Sequence, residues 1–416
     1  KVNAILAIEK SDEFDDWREL MRLYMVRRTR SFIVQHYTQA DKNGRRYIAG
    51  NDDEKRYFPV RKPMSLTFEV DETDVADRYA RLYSPVVVDE INQLHVPRYG
   101  LGLYVDPQAE KTATSAERKQ IDNLGKAGKR LMGFCHTNLF KRLESSGYSF
   151  LQSIDRHILR NQIYQYAIEN ELDLPVGVLD AGLLDLERVD EDADGIEGDP
   201  EDLLDGLVDA VPEEDAVPDS MARAKAVYDQ YAGQYKKRFK WIRSSLFKKK
   251  LAEDLAEDTQ TLSELLTSQG PWEPAKDHKL QAFLRLVKQT HGKDKVLIFT
   301  QFADTARFLA AQARDAGVTH VEVATGASAD PYALACRFSP KSNNKTVAKV
   351  DEVRVLICTA VLSEGQNLQD SNVVVNFDLP WAIIRLIQRA GRVDRIGQKA
   401  EEIFCYSFLH ADGGEH

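Results

Sequence analysis

The chain has 416 residues, 43% of them apolar and 29% charged, with a formal net charge of −10; at ~150 residues per domain this length suggests two or three domains. No stretch approaches the ~18 apolar residues that a membrane helix needs, and no signal or transit pattern follows Lys1. Cys135, Cys336, Cys358 and Cys405 form no C-x-x-C pair, which points to neither a zinc site nor a disulfide framework and favours a reducing, cytoplasmic setting.

Residues 1–60 read as an opening segment. Trp17, Leu20, Met21 and Tyr24 stand at helical spacing and predict a helix from Phe14 to about Phe32, with Arg27, Arg28 and Arg30 at its end. The polar stretch Asp41–Lys55, with two glycines, predicts a loop. Residues 61–179 read as mainly helical after a strand-like stretch, Ser65–Val70. Leu151, Ile154, Ile158, Leu159 and Ile163 mark one amphipathic helix there. Residues 180–219 hold 17 acidic residues and one basic residue, Arg188, so that block carries −16 and the other 376 residues carry +6. It reads as a solvated flexible linker. The alternative is an acidic arm that mimics nucleic acid or gates a basic groove.

Over residues 220–275 the helical signal returns. Tyr228, Tyr231, Tyr235, Phe239, Ile242 and Leu246 step by three or four and predict one face of a long helix. Lys236, Lys237, Arg238, Lys240, Arg243, Lys248, Lys249 and Lys250 stand off that face with no acid among them. Such a face is either merely solvated or suited to a phosphate backbone. Residues 276–416 change character. A helix around Leu280–Val287 precedes apolar runs at Val296–Phe299, Val321–Ala324, Val353–Cys358, Val373–Phe377 and Ile403–Leu409, with helices at Phe308–Ala313 and Trp381–Ala390. Apolar strands that alternate with helices predict an α/β fold, a parallel sheet covered on both faces. In such sheets ligands sit at the carboxyl ends of the strands.

The residues at those ends are Thr300, Gln301 and Phe302; Thr359 and then Ser363–Leu368; Asp378–Trp381; and Gln388, Arg389, Gly391, Arg392 and Arg395. Gln388, Arg392 and Arg395 share one side if their helix persists. Two converging guanidiniums suit a polyanion between them, since arginine forks match phosphate oxygens. The plainer alternative is a surface arginine helix paired with Asp394.

Three segments together carry a resemblance. V-L-I-F-T-Q-F (Val296–Phe302), V-L-I-C-T-A-V-L-S-E-G-Q-N-L-Q (Val355–Gln369) with N-F-D-L-P-W (Asn376–Trp381), and Q-R-A-G-R-V-D-R-I-G-Q (Gln388–Gln398) resemble, in order, the fourth, fifth and sixth motifs of the second RecA-like lobe of superfamily-two helicases. The R-I-G-Q ending is closer to SWI/SNF-type double-strand translocases, Y-M-V-R-R-T-R (Tyr24–Arg30) resembles the R-R-T segment that follows the first lobe in that group, and L-F-K-R-L-E-S-S (Leu139–Ser146) and R-F-S-P (Arg337–Pro340) resemble bacterial members. Ala382-Ile383 departs from the family's Asn-Pro after Pro380-Trp381.

The resemblance implies a RecA-like lobe over residues 276–416, preceded by helical insertion regions. It implies an ATP- and Mg²⁺-using, DNA-dependent ATPase as the intact protein, its first lobe lying before Lys1. Arg392 and Arg395 would face the γ-phosphate. Gln388, Glu364 and Gly365 would bind nucleotide. Thr300, Gln301, Thr359 and Asn367 would touch the tracked strand, and Lys236, Lys237 and Arg243 a duplex. Such contacts position without reading sequence. The partners implied are the phosphate backbone of double-stranded DNA and the absent lobe, in the cytoplasm or on a bacterial nucleoid, with no membrane. The phosphate loop and the magnesium-binding acids are missing from this chain. Gly128-Lys129-Arg130 has no Ser or Thr after its lysine, and Val86–Ile91 falls in a helical region. The fragment alone is expected to hold no cofactor and to hydrolyse nothing. The rivals are a strand-separating DNA or RNA helicase and a non-catalytic DNA-binding scaffold lobe.

Overall fold

A computed structural model describes residues 30–42, 44, 46–49, 55–71, 73–74, 76–177, 220–362, 366–380, 382–395 and 397–410. The chain divides into two units.

The smaller unit lies within Lys1–Val60 and Asp394–Glu401. Helix α1 (Arg30–Tyr37) leads into β1 (Gln39–Ala40), β2 (Arg46–Ala49) and β3 (Lys55–Tyr57), a three-stranded antiparallel sheet. The expected loop over Asp41–Lys55 therefore contains a strand. Tyr47 and Ile48 are strand formers, and Tyr47 meets Tyr57 across the sheet with ring centroids 5.7 Å apart. The expected helix from Phe14 lies, except for its last residues, outside the described residues.

The larger unit lies within Arg61–Val393 and Glu402–His416. Its elements are β4 (Val60–Phe68), α2 (Arg78–Leu82), α3 (Pro85–Gln93), α4 (Ser115–Ser145), α5 (Gly147–Glu169), β5 (Asp173–Gly177), α6 (Ser220–Ala232), β6 (Phe239–Arg243), α7 (Lys250–Gln269), α8 (His278–Arg285), β7 (Val296–Phe299), α9 (Ala303–Asp315), β8 (Val321–Ala324), α10 (Pro331–Phe338), β9 (Val355–Cys358), β10 (Val373–Asn376), α11 (Ile383–Ala390) and β11 (Glu402–His410). Six strands form one sheet in the order β4-β11-β10-β7-β9-β8, and the pairings from β11 through β8 are parallel. Val296 is level with both Val355 and Val373, so these strands begin and end together.

Side chains alternate across a strand. Val296, Ile298, Val355, Ile357, Val373 and Val375 enter one core with α8 and α9. Leu297, Phe299, Leu356, Cys358 and Val374 enter the other, with Ala335 and Phe338 of α10. Both faces are buried, which explains why the strands are apolar throughout. The strand-like Ser65–Val70 lies within and just beyond β4, which joins this sheet at its edge. Val86–Ile91 is helical, in α3.

The helical region has its own apolar clusters, one around α5, α6 and β6 and another around α3, α4, α5 and α7. Thr114 and Glu117 close a capping box at the start of α4. The long helix expected across Tyr228–Leu246 breaks after α6, and a strand, β6, follows before α7. α6 ends at Ala232, Lys236–Arg238 form a 3-10 turn, and β6 pairs antiparallel with β5. Phe239 and Ile242 satisfy the helical spacing and are buried all the same. Gly233 marks the end of the helix, and the segment Phe239-Lys240-Trp241-Ile242 has strand propensity. The acidic block 180–219 lies outside the described residues.

Candidate nucleotide and nucleic-acid site

The level register brings the carboxyl ends of β7, β9 and β10 to one edge of the sheet. The polar groups there are Thr300, Thr359 and Asp378. Asp378 organises this edge. Its carboxylate accepts from the Gln301 N–H at 2.9 and 3.1 Å, from the Thr300 hydroxyl and, at 2.7 Å, from the Ser145 hydroxyl at the end of α4. The Gln301 amide donates to the Leu379 carbonyl. Arg389, buried on α11, donates to the Asn376 side chain at 3.1 Å and lies over the Phe299 ring.

Three sequence-derived expectations change here. Thr300 is fully buried and its hydroxyl is committed to Asp378, so its side chain supports the loop rather than meeting a phosphate. Arg243 donates to both oxygens of Glu117, at 2.7 and 3.0 Å. Arg243 chiefly, with the Thr114 cap, holds the Glu117 carboxyl down to about 2, so that guanidinium already has its anion. The one-sided array of Gln388, Arg392 and Arg395 is broken. α11 ends at Ala390, and the next N–H groups bond three residues back, Arg392 to Arg389 and Val393 to Ala390, tightening the chain at Gly391.

The other positions are as follows. Gln301 is half-buried and spends its backbone and side-chain N–H groups on Asp378 and Leu379. Thr359 is half-buried, its N–H on the Ala324 carbonyl. The Asn367 amide donates to Ser342 at 2.9 Å, while its Oδ1 is buried without a hydrogen-bond partner. Gln388 Oε1 is likewise buried and unpartnered. Arg392 is half-buried, its Nε donating to the Gln388 carbonyl at 3.3 Å, and Arg395 is half-buried in the smaller unit. Glu364 and Gly365 lie outside the described residues. Lys236 and Lys237 are exposed. Ala382 is the N-cap of α11 and offers no side-chain acceptor, a consequence of the departure from Asn-Pro.

Sequence reasoning missed how this edge is supported. Asp304, at the start of α9, is buried and accepts from Arg142 of α4 at 3.1 Å, from Arg156 of α5 at 2.6 and 3.2 Å, and from Arg307. Burial opposes its ionisation, but the guanidiniums outweigh that and hold the carboxyl below its usual range. Lys279 of α8 donates to the carbonyls of Glu144 and Ser145 at 2.7 and 3.0 Å and sits 4.4 Å from the Phe377 ring centre. Burial pushes its ammonium down to about 8, against the pull of Asp378, Glu144 and Asp277. A lysine directly before Leu280 of the helix, and an aspartate directly after Phe377, were the available signals. Among the described residues one trio, His95, Asp254 and Glu257, has the spacing of metal ligands. Asp254 already accepts from Tyr104 at 2.7 Å and Lys250 at 2.8 Å, so we assign no metal there.

A largely parallel sheet flanked by helices, with polar loops gathered at its carboxyl edge, is the arrangement in which α/β lobes place their ligands. Residues 277–397 match the helicase conserved C-terminal domain. A curated relative, the uncharacterized ATP-dependent helicase YqhH of Bacillus subtilis (strain 168), is 34% identical over 26% of this chain and 18% of its own. The RNA polymerase-associated protein RapA of Vibrio campbellii is 34% identical over 30% of this chain and 12% of its own. The chain thus matches less than a fifth of the length of either relative. A solved structure, the C-terminal part of the Fun30 ATPase domain, aligns over 86% of this chain and 87% of its own at 14% identity, with a TM-score of 0.37. Among the described residues no helix is long and apolar enough to cross a membrane.

Proposed function

We propose that this chain is the C-terminal half of an ATP-dependent, SWI/SNF-like DNA translocase that uses ATP with Mg²⁺. The observation that carries the reading is the convergence of the β7, β9 and β10 exits within a helicase C-terminal domain, next to a buried and unpartnered Gln388 Oε1. An orphaned buried acceptor is costly, and a nucleotide supplies the missing donor. Arg392 and Arg395 are assigned to the γ-phosphate, where guanidinium charge stabilises the transferring group, and Gln388 with Glu364 and Gly365 to the nucleotide. The phosphate loop and metal-binding acids belong to a first lobe outside this sequence.

For the tracked strand we retain Gln301, Thr359 and Asn367, with Thr300 in support, and for duplex we retain Lys236 and Lys237. These contacts go to phosphate, so they fix register without sequence preference. Closure and reopening of the two lobes with each ATP would step this lobe along one strand. The boundaries that go with this reading are an inter-lobe segment over 1–60, a helical region over 61–179, an acidic linker over 180–219, a basic region over 220–275 and the lobe over 276–416.

The test is ATP hydrolysis by the longest natural chain that contains this segment, with no nucleic acid, duplex DNA, single-stranded DNA or RNA added in turn. The reading expects the largest stimulation by duplex. Stimulation by single strands or RNA alone would favour a strand-separating helicase, and no hydrolysis under any condition would favour a scaffold.

A further inference from the structure

The loop that follows β7 is held from two sides. From within the sheet, Asp378 accepts from the Gln301 N–H and the Thr300 hydroxyl, and the Leu379 carbonyl takes the Gln301 amide. From the helical region, Ser145 reaches the same carboxylate at 2.7 Å and also lies 2.9 Å from the Thr305 hydroxyl, which lies 2.9 Å from Ser149. Arg142, one turn before Ser145, lies over the Phe302 ring at 4.8 Å. Ser145 is the last residue of α4, and Ser146 is extended (φ −160°, ψ 130°) before α5 begins. The contact therefore falls at the bend between a 31-residue and a 23-residue helix. Lys279 fixes the same bend through the Glu144 and Ser145 carbonyls.

Cohesion alone does not require this chemistry. Tyr148 stacked on Phe308 and the ion pairs of Arg142 and Arg156 with Asp304 already join the helices to the lobe, and a buried chain of hydroxyls ending on a carboxylate is costly unless each member is satisfied. What such a chain adds is direction, because a hydrogen-bonded loop has one position where a greasy one has several.

We propose that Ser145 and Asp378 form a positioning joint through which the helical region sets the placement of the Gln301 loop. Any displacement of α4 against α5 moves Ser145, and the carboxylate it holds also holds the Gln301 backbone. In the terms of the proposed motor, on which only the activity readout rests, engagement of duplex by the helical region would be delivered to the strand-gripping loop through this joint.

The test uses the full natural chain with Ser145→Ala, Ser145→Thr and Asp378→Asn. Amide hydrogen exchange is followed at Gln301 and, as an internal control, along β9. The joint predicts that Ser145→Ala and Asp378→Asn speed exchange at Gln301 by about tenfold, on the scale of one lost hydrogen bond to a charged group, with β9 within about twofold of wild type. Ser145→Thr, which keeps the hydroxyl, restores protection. In ATP hydrolysis the half-saturating duplex concentration rises by a larger factor than turnover falls. Equal acceleration at Gln301 and β9, or none at Gln301 in Ser145→Ala, overturns the joint. Selective acceleration at Gln301 in a protein with no DNA-stimulated hydrolysis supports the joint while defeating the motor reading.

Discussion

An ammonium group removed from water is a liability unless several partners surround it. Lys279 has two carbonyls, three aromatic ring faces and nearby carboxylates, yet burial still dominates and its folded-state value is about 8. The unfolded value is near 10.4, so between the two the folded state binds fewer protons than the unfolded state and stability rises with pH. The penalty is present in full below about pH 8 and is relieved as pH climbs toward 10.4. Urea unfolding of wild type and Lys279→Met at pH 7 and pH 9 should therefore show the difference moving in favour of wild type by about 1 kcal/mol. A difference that does not change with pH would mean that Lys279 titrates normally. Gly147 offers a second residue-scale test. A Cβ there would lie 2.7 Å from Cζ3 of the Trp272 indole, which belongs to the packing beside α5. Gly147→Ala should lower stability by about 1–3 kcal/mol through overpacking, visible in a thermal melt and relieved by Trp272→Leu.

At the scale of elements, the strands were the most legible part of the sequence. Val296–Phe299 and Val321–Ala324 match β7 and β8, because a strand buried on both faces has to be an unbroken apolar run. The segment after Ala232 was misread for a physical reason. Phe239 and Ile242 are three apart, which suits a helix face, and both are buried in the pleat of β6 too. Spacing alone cannot separate the two periods over five residues. The break turns the basic helix face into an exposed turn, Lys236–Arg238, followed by a strand that pairs antiparallel with β5. The site was half legible. Backbone positions at strand ends followed from topology, whereas the commitment of Thr300 to Asp378 and of Arg243 to Glu117 depends on partners 78 and 126 residues away. No local pattern encodes such pairs. If the exposed turn meets a duplex, Lys236→Ala with Lys237→Ala should weaken binding to the same degree for unrelated DNA sequences. The slope of log affinity against log salt should become shallower by about 1–2. An unchanged slope would remove the turn from the interface.

At the scale of the whole molecule, the charge is split between an acidic block of −16 and a remainder of +6, so the 376 residues outside that block are more basic than the net charge suggests, which suits the phosphate partner proposed above. On the function proposed above, residues 277–397, which match the helicase conserved C-terminal domain, would supply arginines and loop groups to a site completed by another lobe, which makes the central claim one about a shared site. The most direct measurement is single-turnover ATP hydrolysis by the full natural chain on duplex DNA, wild type against Arg395→Ala, with ATP affinity measured in parallel. A γ-phosphate role predicts that hydrolysis falls by about a thousandfold while ATP affinity changes by less than about tenfold. Hydrolysis within threefold of wild type would contradict the account.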